Sequence, residues 1–248
     1  MLRFALFLLF FPLLAFGKVD LLEWRPAGYD YALVIPQVEG DSAGEAVERY
    51  LGVLEANPEL KPFAAQLRSA GSGLAKPLAV SGGPAILGIA NDPGDLDAKP
   101  ARVHRVLGPL GERGGKTFLA PVAVTAGLVE ADADDFRRQV SDRFDGLMAM
   151  GGDDIHPSLY GDADPKKLAV ETNLSRDKEE YKLIKSYLEK GRGFFSGMCR
   201  GHQMGGVASG CALVKDIREE LGLEHPRFVD HKIVPNPGVS GPLTREIF

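Results

Sequence analysis

The spacing of apolar and polar residues predicts an alternation of strands and helices along most of the chain. Short, nearly continuous apolar runs are typical of buried strands, and such runs span residues 31–35, 85–90, 117–121 and 145–150. Apolar residues repeated every three or four positions are typical of amphipathic helices, which we predict over residues 43–56, 62–69, 101–113, 136–143 and 178–190. Strands that alternate with helices indicate an α/β fold.

Residues near the element ends give the expected boundaries. Pro36 should end the first strand, and Asp41-Ser42 should cap the helix that follows it. Asp177 should cap the last of the predicted helices, with Glu180 completing a capping box. We therefore expect Asp177 to serve in capping and in surface pairing.

Residues 1–17 have the features of a secretory signal peptide. Met1-Leu2-Arg3 is a short positive start, residues 4–16 are almost wholly apolar, and Ala15-Phe16-Gly17 carries small residues where a peptidase would cut before Lys18. The apolar run is short for a membrane span, which leaves an uncleaved anchor as the less favoured interpretation. We expect export to the periplasm or the extracellular space, with no stable membrane anchor after cleavage.

Composition and charge narrow the classes of partner. The net charge is −5 and no basic cluster stands out, which argues against nucleic acid or an anionic membrane as partner. Residues 18–81 carry no recognisable chemistry, so we treat them as an N-terminal extension that packs or docks beside a main domain over residues 82–248. Cys199 and Cys211 are too few for a disulfide scaffold, and we expect them to stay unpaired.

The stretch from Gly197 to Gly201, Gly-Met-Cys-Arg-Gly, has the pattern of a nucleophile elbow. Phe194-Phe195 before it predicts the end of a buried strand, and residues 202–208 after it predict a short helix. The flanking glycines would let the turn close without Cβ clashes. Cys199 would then lie at a helix N-terminus, where amide groups and the helix dipole favour a negatively charged sulfur.

The longer string Gly-Met-Cys-Arg-Gly-His-Gln, residues 197–203, resembles the nucleophile motif of class I glutamine amidotransferase-like proteins. It is most similar to the γ-glutamyl-γ-aminobutyrate hydrolase branch, peptidase family C26. The strand ending in Gly151-Gly152-Asp153, followed by Pro-Ser-Leu-Tyr-Gly at residues 157–161, also resembles this family, although Met150 stands where the family usually has proline. The resemblance extends over residues 84–248.

The resemblance implies a flavodoxin-like fold, a mostly parallel sheet with helices on both faces, and acyl transfer to Cys199. It implies that the backbone amides of Gly152 and Arg200 form the oxyanion hole and that no metal or organic cofactor is needed. The substrate would be a small γ-glutamyl compound. The remaining implied site residues are those of the elbow and of the pocket: Gly197, Gly201, His202, Gln203, Gly151, Asp153 and His156.

The family's His-Pro-Glu motif, which supplies the base, does not occur in the sequence. The family fold also continues into further strands, so we expect a sheet edge that a partner or a second copy would cover. Of the five histidines, His156, His225 and His231 are the candidates for a substitute base. Without one, we expect very weak or no turnover, but slow acylation by a reactive γ-glutamyl compound.

Three interpretations stay open on the sequence alone. The chain could be a truncated or frameshifted γ-glutamyl amide hydrolase. It could be an inactive relative that binds a ligand or a partner. It could also be an α/β-hydrolase with a cysteine elbow, although that would not account for the residues after Cys199.

Overall fold

The structure is a computed structural model, and it describes residues 18–29, 31–71, 73–90, 107–109, 111–112, 114–161, 173–190, 193–214 and 222. Its internal contacts divide the chain into two units, Met1–Ala212 and Leu213–Phe248. Nearly all described residues belong to the first unit, which contains every strand and helix named here. In the second unit only Leu213, Val214 and Gly222 are described.

Seven strands and five α-helices have both of their ends in the described part of the chain, and residues 107–109 and 111–112 are also helical. The strands are β1 (Val19–Arg25), β2 (Ala32–Val38), β3 (Leu74–Pro77), β4 (Ala85–Ile89), β5 (Lys116–Ala120), β6 (Gly146–Ala149) and β7 (Phe194–Gly197). The helices are α1 (Ala43–Ala56), α2 (Lys61–Ala70), α3 (Glu130–Arg143), α4 (Leu174–Glu189) and α5 (Arg200–Ala208), with a 3₁₀ turn at Pro157–Leu159.

All seven strands form one sheet, in the order β3-β1-β2-β5-β4-β6-β7. The pairs from β2 to β7 are parallel, whereas β1 runs antiparallel to both β2 and β3. The predicted flavodoxin-like α/β fold with a mostly parallel sheet is therefore confirmed. The parallel strands β4 to β7 share one carboxyl edge, which is where open α/β sheets place their ligand sites.

Both faces of the sheet are covered, as consecutive buried residues in the strands show. Leu21 and Leu22 of β1 are each 1% exposed although they point to opposite faces. On one of these faces Trp24 makes an edge-to-face contact with Tyr50 of α1, at a centroid distance of 6.3 Å. Burial on two sides explains why strands such as β4 are apolar throughout rather than alternating.

The N-terminal extension contributes β1, β2 and β3 to the shared sheet. Ala32 of β2 pairs with Phe118 of β5, and Asp135 of α3 accepts a hydrogen bond from the Val19 amide at 3.0 Å. Residues 18–77 are thus built into the same sheet as β5 and its neighbours. The division of the chain at residue 82 stays a prediction.

Most predicted elements appear, and the differences in their boundaries have local causes. The predicted cap of α1 is confirmed: Ser42 and Glu45 form a reciprocal capping box. Pro36 does not end β2, because it lies inside the strand opposite Leu21. Strands β1 and β3 were not predicted from the sequence. Phe194 is 45% exposed rather than buried, because β7 is the last strand of the described sheet.

Some predictions fall outside the described residues. They are the signal peptide over residues 1–17, the first six residues of the helix predicted over residues 101–113 and the histidines at positions 104, 225 and 231. Of the rest of that predicted helix, residues 107–109 and 111–112 are described and are helical. Among the helices that are described, none is both long enough and apolar enough to cross a membrane.

Candidate active site

The ends of β6 and β7 bring the two predicted halves of the site together. The two strands are parallel neighbours, with Ala149 opposite Gly197, and the Met198 amide donates to the Ala149 carbonyl at 3.0 Å. The segments that follow β6 and β7 then leave the sheet at its carboxyl edge. A Cβ atom placed on Gly151 would lie 3.5 Å from the Cβ atom of Cys199, so the glycine loop passes directly beside this cysteine.

Cys199 adopts the strained backbone conformation expected of an elbow. Its φ of 50° and ψ of −116° lie outside the regions that L-residues favour, a conformation that costs on the order of 1–3 kcal/mol. It is the N-terminal cap residue of α5, and its side chain is exposed. Cys211 is also an exposed free thiol, beyond the C-terminus of the same helix.

Two glycines allow the chain to make this turn. A Cβ atom on Gly197 would overlap the backbone of Gly201, and one on Gly201 would overlap the carbonyl group of Ala149. The first glycine lets α5 fold back over β7, and the second lets α5 approach the end of β6. The two glycines of the elbow pattern are therefore explained by close backbone approach, as the sequence analysis expected.

The amides at the start of α5 leave one donor available. The Cys199 carbonyl accepts from the amides of His202 and Gln203 at 3.0 and 3.3 Å. The Arg200 amide makes no hydrogen bond among the described residues, and the same holds for the amide of Gly152 in the neighbouring loop. These are the two donors that the resemblance assigned to an oxyanion, and neither has a hydrogen-bond acceptor among the described residues.

The side chain of Arg200 lies beneath the elbow and is 1% exposed. Its Nη2 atom donates to Oδ1 of Asp177 at 2.6 Å, and its Nη1 atom donates to Oε2 of Glu180. Both acidic side chains belong to α4 and are themselves buried, at 0% and 4% exposure. A buried guanidinium group with two buried carboxylates thus joins α5 to α4.

Asp177 also holds the glycine loop. Its Oδ2 atom accepts from the His156 amide at 2.8 Å, while Arg176 contacts Oδ1 of Asp177 at 3.2 Å and Oδ2 of Asp153 at 3.5 Å. Asp177 does not cap α4, because that helix begins three residues earlier and is capped by Asn173. The expectation of a capping, surface-pairing Asp177 was therefore wrong.

The pKa values of Glu180 and Arg200 in this network are both raised above their ordinary values. Burial raises the pKa of the Glu180 carboxyl group, even though the nearby Arg200 opposes that change. Burial alone would lower the pKa of Arg200, but Glu180 and Asp177 outweigh it, and the pKa of Arg200 is raised. The guanidinium group therefore stays charged in its buried position.

The described histidines have clear local roles. His156 accepts a hydrogen bond from the Ser158 amide on Nδ1 at 3.2 Å, so it caps the 3₁₀ turn and its Nδ1 is occupied. His202 and Gln203 lie exposed in the first turn of α5. No group of three or more potential metal ligands occurs among the described residues.

A small cavity lies at the same edge of the sheet, at the ends of β4 and β5. Arg137, Arg176, Glu179 and Glu180 supply its charged lining, and the site residues predicted from the sequence do not line it. Among the described residues, the elbow is where a free exposed thiol lies beside backbone amides that have no described partner, so we take the elbow rather than this cavity as the candidate site.

Comparison with known proteins indicates a family for part of the chain. Residues 119–239 match the family model of peptidase C26, a stretch that includes the glycine loop, α4 and the elbow. This match supports a relationship to the peptidase C26 family within the class I glutamine amidotransferase-like proteins. This C26 segment is shorter than the stretch over which we noted a resemblance, and it begins inside β5.

Two curated relatives match part of the chain. Protein NtpR of Enterococcus hirae is 35% identical over 100 residues, which are 37% of this chain and 41% of the relative. "Putative glutamine amidotransferase PB2B2.05" of Schizosaccharomyces pombe is 28% identical over 108 residues, 41% of this chain and 42% of the relative. The chain thus spans about two-fifths of the length of each of these relatives. The comparisons support a hydrolase or amidotransferase-like class.

The close approach at Gly201 predicts the effect of adding one methyl group. Gly201→Ala should distort the elbow, because its Cβ atom would overlap the backbone of Ala149. We expect urea denaturation to show a free energy of unfolding lowered by about 1–3 kcal/mol, the usual cost of overpacking.

Gly206→Ala in the same helix is the control, since its Cβ atom would lie 3.8 Å from the nearest atom, Cβ of Cys211. It should stabilise the helix slightly, by up to about 1 kcal/mol. Equal effects of the two changes would contradict the assigned packing.

The raised pKa of Glu180 predicts a pH dependence of stability. A carboxyl group whose pKa is raised on folding binds its proton more tightly in the native state, so its contribution falls as pH rises through the raised value. The difference in free energy of unfolding between the wild type and Glu180→Gln should therefore decrease from about pH 4 upward.

Glu45 provides a control of opposite sign. Hydrogen bonds from the backbone and then the side chain of Ser42 lower the pKa of Glu45. Its contribution is present above the ordinary pKa of 4.5 and is lost as pH falls. The difference between the wild type and Glu45→Gln should therefore increase with pH. Parallel trends for the two variants in urea titrations would show that the assignment for Glu180 is wrong.

Proposed function

We propose that the protein is a cysteine-dependent hydrolase of γ-glutamyl amide bonds that acts through a thioester on Cys199. The observation that carries this proposal is the strained elbow, which presents an exposed thiol at the start of α5 beside an available backbone amide. A core cysteine with a purely structural role would gain nothing from this conformation. The strain is of the kind that proteins retain at reactive positions.

The proposed reaction has two steps. The Cys199 sulfur attacks the γ-carbonyl carbon, the C–N bond breaks, and the amine leaves with a proton while a thioester forms. Water then attacks the thioester, which releases glutamate and restores the thiol. In each step negative charge develops on the carbonyl oxygen, and the amides of Arg200 and Gly152 are the donors proposed to stabilise it.

The choice of a γ-glutamyl amide rests on the family rather than on the geometry. The C26 match and the resemblance of residues 197–203 to the γ-glutamyl-γ-aminobutyrate hydrolase branch support an amide of glutamate. The name of the fission-yeast relative supports chemistry at a glutamine-type amide. Neither His156 nor His202 is assigned as the base, since the first uses Nδ1 in a cap and the second lies in the elbow helix.

Acylation of Cys199 is the step that tests this proposal. An activated γ-glutamyl ester needs no acid for its leaving group, so the wild type should release a burst of alcohol equal to the enzyme concentration. Cys199→Ala should abolish the burst, whereas Cys211→Ala, which removes the other exposed thiol, should retain it. Rapid-mixing absorbance and peptide mass mapping would measure this. A burst that survives Cys199→Ala would rule out the thioester.

Selectivity between acyl groups tests the substrate class. The γ-glutamyl ester should acylate Cys199 faster than the α-glutamyl ester of the same alcohol. Equal acylation rates with the two esters would leave Cys199 as the proposed nucleophile but would contradict a pocket that selects γ-glutamyl groups. An unreactive Cys199 in a folded protein would instead favour an inactive relative that binds a ligand or a partner.

Export is a separate proposal, supported by the composition of residues 1–17. Cleavage after Gly17 would start the mature chain at Lys18, one residue before β1 begins. N-terminal sequencing of protein from its native host should therefore begin near Lys18. Recovery of the intact Met1 on soluble protein inside the cell would contradict export.

A further inference from the structure

The carboxylate of Asp177 contacts both segments that carry the proposed oxyanion donors. Its Oδ1 atom accepts from Nη2 of Arg200 at 2.6 Å, and its Oδ2 atom accepts from the His156 amide at 2.8 Å. Arg200 also supplies one proposed backbone donor, and His156 ends the loop that begins with Gly151 and supplies the other. One buried carboxylate therefore lies between the two halves of the site.

The contacts of Asp177 suit a role in holding the elbow and the glycine loop at a set distance, rather than a role in the reaction itself. Asp177 is fully buried, and both of its oxygens are engaged, so it offers no free atom to a substrate. Charge-assisted hydrogen bonds are short and directional. Those of Asp177 constrain the elbow and the loop relative to the same point of α4, and Arg176 adds a second contact between α4 and the loop through Asp153.

We propose that Asp177 is a positioning residue that sets the distance between the two oxyanion donors by holding the Arg200 side chain and the His156 amide on one carboxylate. The inference rests on the proposed function in one respect, that Cys199 accepts an acyl group. Glu180 supports Asp177 by binding the second nitrogen of the Arg200 guanidinium group, which fixes the plane of that group. Small displacements of catalytic groups cost large factors in rate.

The test compares two reactions of Cys199 that differ in their need for an oxyanion hole. Acylation by p-nitrophenyl acetate passes through a tetrahedral oxyanion, whereas alkylation by iodoacetamide displaces iodide from a saturated carbon and develops no oxyanion. The ratio of the two rates therefore reports on oxyanion stabilisation, and thiol exposure and ionisation affect both reactions. All variants carry Cys211→Ala so that one thiol reacts.

Asp177→Asn should lower the ratio of acylation to alkylation by about 10²-fold, the typical effect of losing one oxyanion donor. The matched control is Asp135→Asn in α3, since Asp135 also binds a backbone amide, that of Val19, and an arginine, Arg138. Four strands of the sheet separate β1, which Asp135 binds, from β7. Asp135→Asn should destabilise the protein but leave the ratio unchanged.

A second pair of variants covers the case in which Asp177→Asn does not fold. His156→Pro removes the amide donor, and the φ of −62° at His156 already suits proline. His156→Ala removes the same side chain and keeps the amide. The ratio should fall by at least about tenfold in His156→Pro relative to His156→Ala, an amount within the range for a displaced oxyanion donor.

The outcomes separate this inference from the proposed function. Wild-type acylation at Cys199 with lowered ratios in Asp177→Asn or His156→Pro supports both. Wild-type acylation with ratios equal to those of Asp135→Asn and His156→Ala overturns the positioning role alone. A wild type that is alkylated but never acylated at Cys199 overturns the proposed function and this inference with it.

Discussion

The buried charge of Arg200 is the constraint on which the rest of the site depends. A guanidinium group cannot be buried without partners, because the cost of desolvating the charge is several kcal/mol. In this protein Asp177 and Glu180 supply those partners from one helix, and the pair lies under the elbow. The carboxylates of Asp177 and Glu180 therefore fix the position of the Arg200 side chain. Because Cys199 directly precedes Arg200, its backbone is constrained as well.

This constraint explains how the elbow keeps its strained conformation. The unfavourable φ and ψ of Cys199 cost on the order of 1–3 kcal/mol, which surrounding contacts must offset. The close packing of Gly197 and Gly201 and the ion pairs of Arg200 act on the residues that flank the cysteine. Because Asp177 also binds the His156 amide, the same cluster extends to the glycine loop. The strained backbone of Cys199 and the positions of the two proposed oxyanion donors thus depend on the same cluster of buried charges.

The sequence was sufficient to predict the strand, tight turn and helix around Cys199 and the parallel strand beside them. Glycines at positions 197 and 201 signalled close approach, and the apolar runs at β6 and β7 signalled parallel strands with a common edge. Strands β1 and β3 were missed because neither shows a continuous apolar run. In β1 charged residues interrupt the apolar ones, and the residues of β3 are mostly exposed. Their place in the sheet comes from pairing with β2 and β1, which local patterns do not encode.

The roles of Asp177 and Glu180 were missed for a different reason. Their position at the start of a helix suggested capping, but Asp177 and Glu180 are spaced three apart and continue the buried stripe of Ile184 and Tyr187. Acidic residues in an apolar stripe indicate burial with a cation, and in the structure that cation is Arg200, the residue after Cys199. That signal was present in the sequence, but its partner lay 20 residues away on another element.

A double-mutant cycle between Arg200 and Asp177 measures the central interaction most directly. The free energies of unfolding of the wild type, Arg200→Met, Asp177→Asn and the double variant would be determined by urea denaturation. Each single change leaves an unpaired buried group and should cost about 3–5 kcal/mol. The double variant should cost less than the sum of the two by about 0.5–3 kcal/mol. Costs that add to within about 0.5 kcal/mol would show that the two residues do not act as a pair, and the elbow would then need another explanation.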